Sequence, residues 1–283
     1  MKTGIMSDAY TSPYGLERGY LKMKEHGYDH ADYQGLINVD AELYDLPEEP
    51  FRETLEREAE AARAAGVTIF QMHGPWGGSQ TDLTKQLRKK KLEQVRKAIR
   101  GTAYLGCENF VIHNVMPFGD CDGDNKAAVY EINAEFFSKT AEYAASFDVT
   151  VCLEYMPFGG QYLARPADML AFVKSLNYDN FRMCLDTGHC SVFGISPAES
   201  ARLLGKEYLK VLHVHDNNGV SDFHWVPYTG VIDWGDFTKA LHEIGYEGPV
   251  CLETCVPRNM PLGAEREKKE LELAAIAKKI AGE

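Results

Sequence analysis

Several familiar signatures are missing from this chain of 283 residues. No stretch approaches the roughly 18 apolar residues that span a bilayer. The opening Met1-Lys2-Thr3-Gly4-Ile5 also lacks the apolar segment of a secretory signal. No glycine-rich phosphate loop follows a strand-like run, which argues against an open dinucleotide-binding sheet. No Cys-x-x-Cys pair occurs among the seven cysteines, Cys107, Cys121, Cys152, Cys184, Cys190, Cys251 and Cys255. Their number is odd, and Cys152, Cys184 and Cys251 each sit in an apolar run. They read as reduced core thiols rather than a disulfide framework or a thiolate zinc site. The expectation is a cytoplasmic protein with no membrane partner.

Positive charge is also scarce. Thirty basic residues against 42 acidic ones leave a net charge of −12. Affinity for a phosphate backbone comes from Lys and Arg displacing counterions, so this balance argues against nucleic acid as a partner. No lysine directly follows a strand-end motif, and a Schiff-base mechanism has no support.

What is present is a repeated pattern. Six times a short apolar run ends in a metal-type side chain: at His73, His113, Glu154, Asp186, His213 and Glu253. The steps between them are 40, 41, 32, 27 and 40 residues, each about the length of a strand plus a crossover helix. The runs are continuous rather than alternating, as in parallel strands buried on both faces. Thr3–Met6 and a weaker run at Tyr28–Tyr33 bring the strand count to eight.

Between them lie helical segments at Glu49–Ala65, Asp82–Leu105, Asn133–Ser146, Pro166–Leu176, Pro197–Leu204, Trp234–Ile244 and Ala264–Ile280, with a poorer candidate at Pro13–Gly27. No linker or composition break interrupts them. The reading is an α/β protein: one (β/α)₈ TIM barrel over residues 1–283, with its site at the carboxyl ends of the strands.

Glu154, Asp186, His213 and Glu253 close the fifth to eighth strands. Three carboxylates and one imidazole form a hard, oxygen-rich set that suits one divalent metal: Mn²⁺, Mg²⁺ or Co²⁺, with Zn²⁺ tolerated. A Glu directly after Val-Cys-Leu is costly to bury unless it is paired or bound to metal.

The loops sharpen this. One reads Asp186-Thr187-Gly188-His189; the next reads His213-Val214-His215-Asp216, followed by Asp222-Phe223-His224. With a Glu ending the last strand, these motifs resemble the xylose-isomerase-like TIM-barrel superfamily. It holds sugar (and sugar phosphate) isomerases and ketose 3-epimerases, inosose dehydratases, hydroxypyruvate isomerases and abasic-site endonucleases. The resemblance covers roughly residues 66–255. It implies a metal held by Glu154, Asp186, His213 and Glu253. The two glutamates would then serve as an acid/base pair removing a proton next to a carbonyl through a cis-enediolate. It also implies that His189 reaches into the pocket as a further catalytic contact.

The endonuclease branch uses three zinc ions, and its ligand positions match His73, His113, Glu154, Asp186, His189, His213, Asp222, His224 and Glu253. The resemblance therefore leaves open a metal-dependent phosphoester hydrolase, or a carbohydrate dehydratase or lyase. It also leaves open additional zinc at a second site of His189, Asp222 and His224. Barrels of this class often pair, which makes a homo-oligomer a further expectation.

Other residues are placed as substrate contacts: His73, His113, His224, Trp76 and Arg258, with a carbohydrate as the partner. Trp76, Tyr155, Phe158, Phe223 and Trp225 follow strand ends and suit an aromatic wall against a sugar ring. Arg165 reads as solvated charge. His215 is expected to point away from His213 and to play a structural part. His26, His30 and His242 are expected at the surface. The family's usual Glu near the end of strand two is absent; Asp32 stands in its neighbourhood.

Overall fold

The computed structural model describes residues 1–282. Eight parallel strands form the centre: β1 (Thr3–Met6), β2 (His30–Tyr33), β3 (Thr68–His73), β4 (Asn109–His113), β5 (Thr150–Glu154), β6 (Phe181–Asp186), β7 (Leu209–His213) and β8 (Val250–Leu252). The sheet runs β7-β6-β5-β4-β3-β2-β1-β8. Its two ends meet where Val214 bridges Leu252 and donates to Cys251 O at 2.9 Å. The result is the expected TIM barrel, closed by a single bridge one residue beyond β7.

Among the described residues, ten helices accompany it. They are α1 (Asp8–Tyr14), α2 (Leu16–His26), α3 (Glu48–Ala64), α4 (Lys85–Tyr104) and α5 (Lys126–Ala145), then α6 (Pro166–Leu176), α7 (Thr187–Val192), α8 (Pro197–Tyr208), α9 (Trp234–Glu243) and α10 (Ala264–Ile280). The candidate helix over 13–27 is two helices, broken at Gly15, whose φ of 81° stops α1. α5 begins seven residues before the expected Asn133. That residue is a buried clamp inside the helix, joined to Val115 N and Val115 O at 2.8 and 2.9 Å. None of the helices among the described residues is long and apolar enough to cross a membrane.

Alternation along the strands explains the site. Ile112, Leu153, Leu185 and Leu212 face outward into the helix-packed core. Val111, Cys152, Cys184 and Val211 face inward and form a separate small cluster with Phe70. Two residues further along each strand stand His113, Glu154, Asp186 and His213. Period two puts them on the same inward face, one layer nearer the mouth. Five cysteines are buried, as read from the sequence, but Cys121 is exposed and Cys255 half-buried.

Candidate active site

Glu154 stands at the centre of the deeper layer and is fully buried. Its Oε1 lies 2.9 Å from His213 Nδ1; its Oε2 lies 3.4 Å from His73 Nε2 and 3.6 Å from His113 Nδ1. Glu253, one residue past β8, brings its Oε2 to 3.4 Å from the same His213 Nδ1. Glutamates from the ends of β5 and β8, three strands apart around the barrel, thus flank one imidazole nitrogen. Burial alone would raise the Glu154 carboxyl, but His213 above all holds it well below the usual carboxylate range. Burial raises Glu253, and the cations of His213 and His224 do not fully reverse it. Burial pushes His113 down to about 3, leaving a neutral imidazole whose Nδ1 has no hydrogen bond.

A second layer sits closer to solvent. Asp222 Oδ2 lies 3.2 Å from His189 Nε2 and 3.3 Å from His224 Nε2. Each of those rings turns its Nδ1 to a backbone carbonyl, Tyr155 O at 2.7 Å and Glu253 O at 2.8 Å. Both Nε2 atoms therefore converge on one carboxylate, with their orientation fixed from behind. Burial opposes a charge on His189, but Asp186 and Asp222 raise its pKa to about 10. His224 sits at φ 49°, a left-handed backbone that a non-glycine residue adopts at a cost.

Asp186 belongs with this second layer. In the sheet Asp186 pairs with His213, but its carboxylate is engaged by groups of the outer layer. Its Oδ1 caps α7 by accepting from His189 N at 2.6 Å, and its Oδ2 lies 3.0 Å from His215 Nε2. The proposed quartet is thus divided, with Glu154, His213 and Glu253 in contact and Asp186 engaged elsewhere. His189 joins the two, its Nδ1 3.8 Å from both Glu154 Oε1 and Asp186 Oδ1.

Several expectations need correction. His215 does not point away from His213. Residues two apart on a strand share a face, and His215 enters the site, stacked on His224 with ring centroids 3.9 Å apart. Thr187 fixes it, its hydroxyl donating to His215 O at 2.7 Å and accepting from His215 N at 3.0 Å. His26 is not at the surface but buried, with its Nδ1 2.9 Å from Tyr10 Oη. His30 is half-buried at the start of β2, edge-on to Phe70.

Tyr155 is no part of an open wall; it is fully buried and its hydroxyl donates to Asp186 O at 2.7 Å. Trp76 does reach the site, edge-on to His113 at 4.9 Å. Phe223 and Trp225 stack on each other at 5.3 Å and remain exposed. Arg258 is paired with Asp8 at 2.7 Å, and Arg165 lies over the Phe193 ring.

Sequence reading missed the buried pair of Asp82 and Lys91, whose Nζ lies 2.9 Å from both carboxylate oxygens. Asp82 also accepts from Met116 N at 2.9 Å, tying the loop after β3 to the loop after β4. The lone basic residue on the apolar stripe of α4 was the available signal.

The donor set fits a divalent cation. Ligand-type atoms of His73, His213 and Glu253, and of His73, His113 and Glu154, lie within 4.8 Å of one another. Glu154 Oε2, Glu253 Oε2, His113 Nδ1, His213 Nε2 and Asp222 Oδ1 are buried with no hydrogen bond. Buried polar atoms left this way are costly unless something else satisfies them. A cation replaces the protons that otherwise hold such imidazoles and carboxylates together.

The chain is similar to several known proteins. A D-psicose 3-epimerase of Ruminiclostridium cellulolyticum is 26% identical over 209 residues, 72% of this chain and 69% of that one. A ketose 3-epimerase of Arthrobacter globiformis is 26% identical over 75% of this chain and 73% of its own. A crystal structure of a D-tagatose 3-epimerase-like protein superposes with a TM-score of 0.76 at 25% identity, covering 100% of this chain and 98% of the other. The zinc-bound IolI structure shares the fold, with a TM-score of 0.72 at 19% identity over 99% of this chain and 96% of the other. The family model described as a xylose isomerase-like TIM barrel matches residues 21–278, and with barrel, strand-end donors and loop motifs in place the chain belongs to that family.

Proposed function

We propose that this chain is a divalent-metal-dependent sugar isomerase or epimerase that moves a proton at a carbon next to a carbonyl. The observation that carries the reading is the pair of glutamates on one imidazole nitrogen, 2.9 Å for Glu154 Oε1 and 3.4 Å for Glu253 Oε2, with the Oε2 of each buried and without a hydrogen bond. Two carboxylates on opposite sides of a sugar carbon can remove a proton from one face and return one to the other.

Glu154, Asp186, His213 and Glu253 are the proposed metal ligands. A bound Mn²⁺, Mg²⁺, Co²⁺ or Zn²⁺ polarises the carbonyl and stabilises charge developing on its oxygen. His189 offers Nε2 to a substrate oxygen, its ring held by Tyr155 O. His73, His113 and His224 line the pocket, and Trp76 offers an apolar face to the sugar. The relatives act on ketoses by name, which supports a neutral ketose as substrate.

A second reading follows from the convergence of His189 and His224 on Asp222, which is a ready additional zinc site. With several zinc ions the same pocket would suit phosphoester hydrolysis. A ketose panel in deuterated water separates the two. The isomerase reading predicts deuterium entering a ketose with Mn²⁺ present and no cleavage of an abasic-site duplex. Cleavage that weakens steeply with salt, with no exchange into any ketose, would reverse the order.

A further inference from the structure

Outside the two donor layers, Asp82 and Lys91 form a charge pair sealed from solvent, 0% and 2% exposed. Removing two such charges from water costs about as much as their attraction returns, and an apolar pair of similar volume often stabilises a fold as well. What a buried pair can supply is a fixed position, and this one stands behind the pocket wall. Both Asp82 oxygens lie 2.9 Å from Lys91 Nζ, and Asp82 Oδ2 also accepts from Met116 N at 2.9 Å. Lys91 is thereby pinned on α4. Its Nζ stands over the Trp76 ring, 6.0 Å from the centroid, at the outer reach of a cation–π contact. The same indole meets His113 edge-on at 4.9 Å. Its backbone is held from a third side, with Trp76 N donating to Ile37 O at 2.6 Å. The loops after β2, β3 and β4 thus meet at one half-buried tryptophan.

We infer that Asp82 and Lys91 are positioning residues that set the Trp76 indole at the pocket wall, and through it the seating of the substrate, without touching the substrate themselves. Lys91 backs one face of the ring and Asp82 holds Lys91 there, which leaves the other face for apolar contact with a sugar. A binding contact is only as precise as the groups that lock it from behind. Without the cation the indole is free to rock away from His113. The effect falls on binding rather than on proton transfer, because Trp76 handles no proton. The seating of a sugar rests on the isomerase reading; the placement of Trp76 does not.

The test uses the full chain labelled with 5-fluorotryptophan. The three tryptophans give three fluorine-19 resonances, and Trp76→Phe identifies one of them. In Lys91→Met the Trp76 resonance should shift or broaden while those of Trp225 and Trp234 hold. With Mn²⁺ and whichever of D-psicose, D-tagatose and L-ribulose the wild type turns over fastest, Lys91→Met should raise KM about tenfold and leave kcat within about threefold. In a Trp76→Phe background the same substitution should change KM by less than about twofold, because residues acting through one contact are not additive. Asp82→Asn combined with Lys91→Met leaves no unpaired charge buried, and it carries the same expectations if Lys91→Met alone fails to fold.

An unmoved Trp76 resonance overturns the inference, and so does a full-sized KM effect in the Trp76→Phe background. A lower Tm with KM unchanged makes the pair a stabilising one only and also overturns it. No turnover of any of the three ketoses by the wild type removes the isomerase reading and the claim on sugar seating; the Trp76 resonance then decides alone whether the pair places the indole.

Discussion

The two layers of donors in this barrel use the same side chains and are built differently. The deeper layer, Glu154 with His73, His113, His213 and Glu253, grows almost entirely from strand ends, and Glu154 and His213 are fully buried. The outer layer, Asp222 with His189, His215 and His224, grows from a short helix and a long loop, and its His224 holds a left-handed backbone. Strand ends are fixed by ladder hydrogen bonds on both sides. The loop is fixed instead by one carboxylate, Asp216, which accepts from Gly230 N, Ile232 N and Trp234 Nε1 at 3.0, 3.3 and 2.9 Å. The lesson is a division of labour. On the proposed function, proton transfer needs groups that do not move, which the strand-end layer would supply, and the loop layer would tune the substrate or hold further metal.

The largest effect expected from this contrast lies in the rigid layer. Glu154→Gln and Glu253→Gln should each lower kcat by about 10²–10⁴, the usual size of a general acid or base contribution. Steady-state assays on the best ketose check this, and retained turnover in both variants sinks the proton-transfer pair.

Metal removal comes next. With metal at about 100 times its dissociation constant, binding stabilises the fold by about 2.7 kcal/mol, so a chelator should lower Tm by several degrees and Mn²⁺ should restore it. A Tm indifferent to divalent ions removes the metal from the account.

Gly188→Ala probes the junction between the layers. A Cβ there would run into the His215 ring. The expected cost is about 1–3 kcal/mol of stability by denaturant titration, typical of overpacking; a neutral result means that His215 is free to move.

The smallest catalytic effect should come from Asp222→Asn. On the isomerase reading kcat changes by less than about tenfold, or ~1.4 kcal/mol. A collapse as deep as that of Glu154→Gln would erase the distinction between the layers.

The same division decides what could be read from the sequence. The deeper layer was legible because burial on both faces leaves continuous apolar runs, and a charged residue closing such a run has few structural explanations. The family motifs supplied the outer layer but not its geometry. Spacing puts Asp186 at a strand end but cannot show that its carboxylate also caps α7 and meets His215. His215 was assigned the wrong direction because the strand's alternation continues through Val214, which closes the barrel onto Leu252. α7 looked like a loop because Gly188 weakens any helical pattern, yet the Asp186 cap starts it.

The most direct measurement is deuterium wash-in at carbon 3 of D-psicose, D-tagatose and L-ribulose, followed by NMR with Mn²⁺-loaded and chelator-treated protein. The account predicts exchange into at least one ketose with Mn²⁺, lost on chelation and lost again in Glu154→Gln. Exchange that survives both chelation and Glu154→Gln, or its absence from every ketose tested, would contradict it.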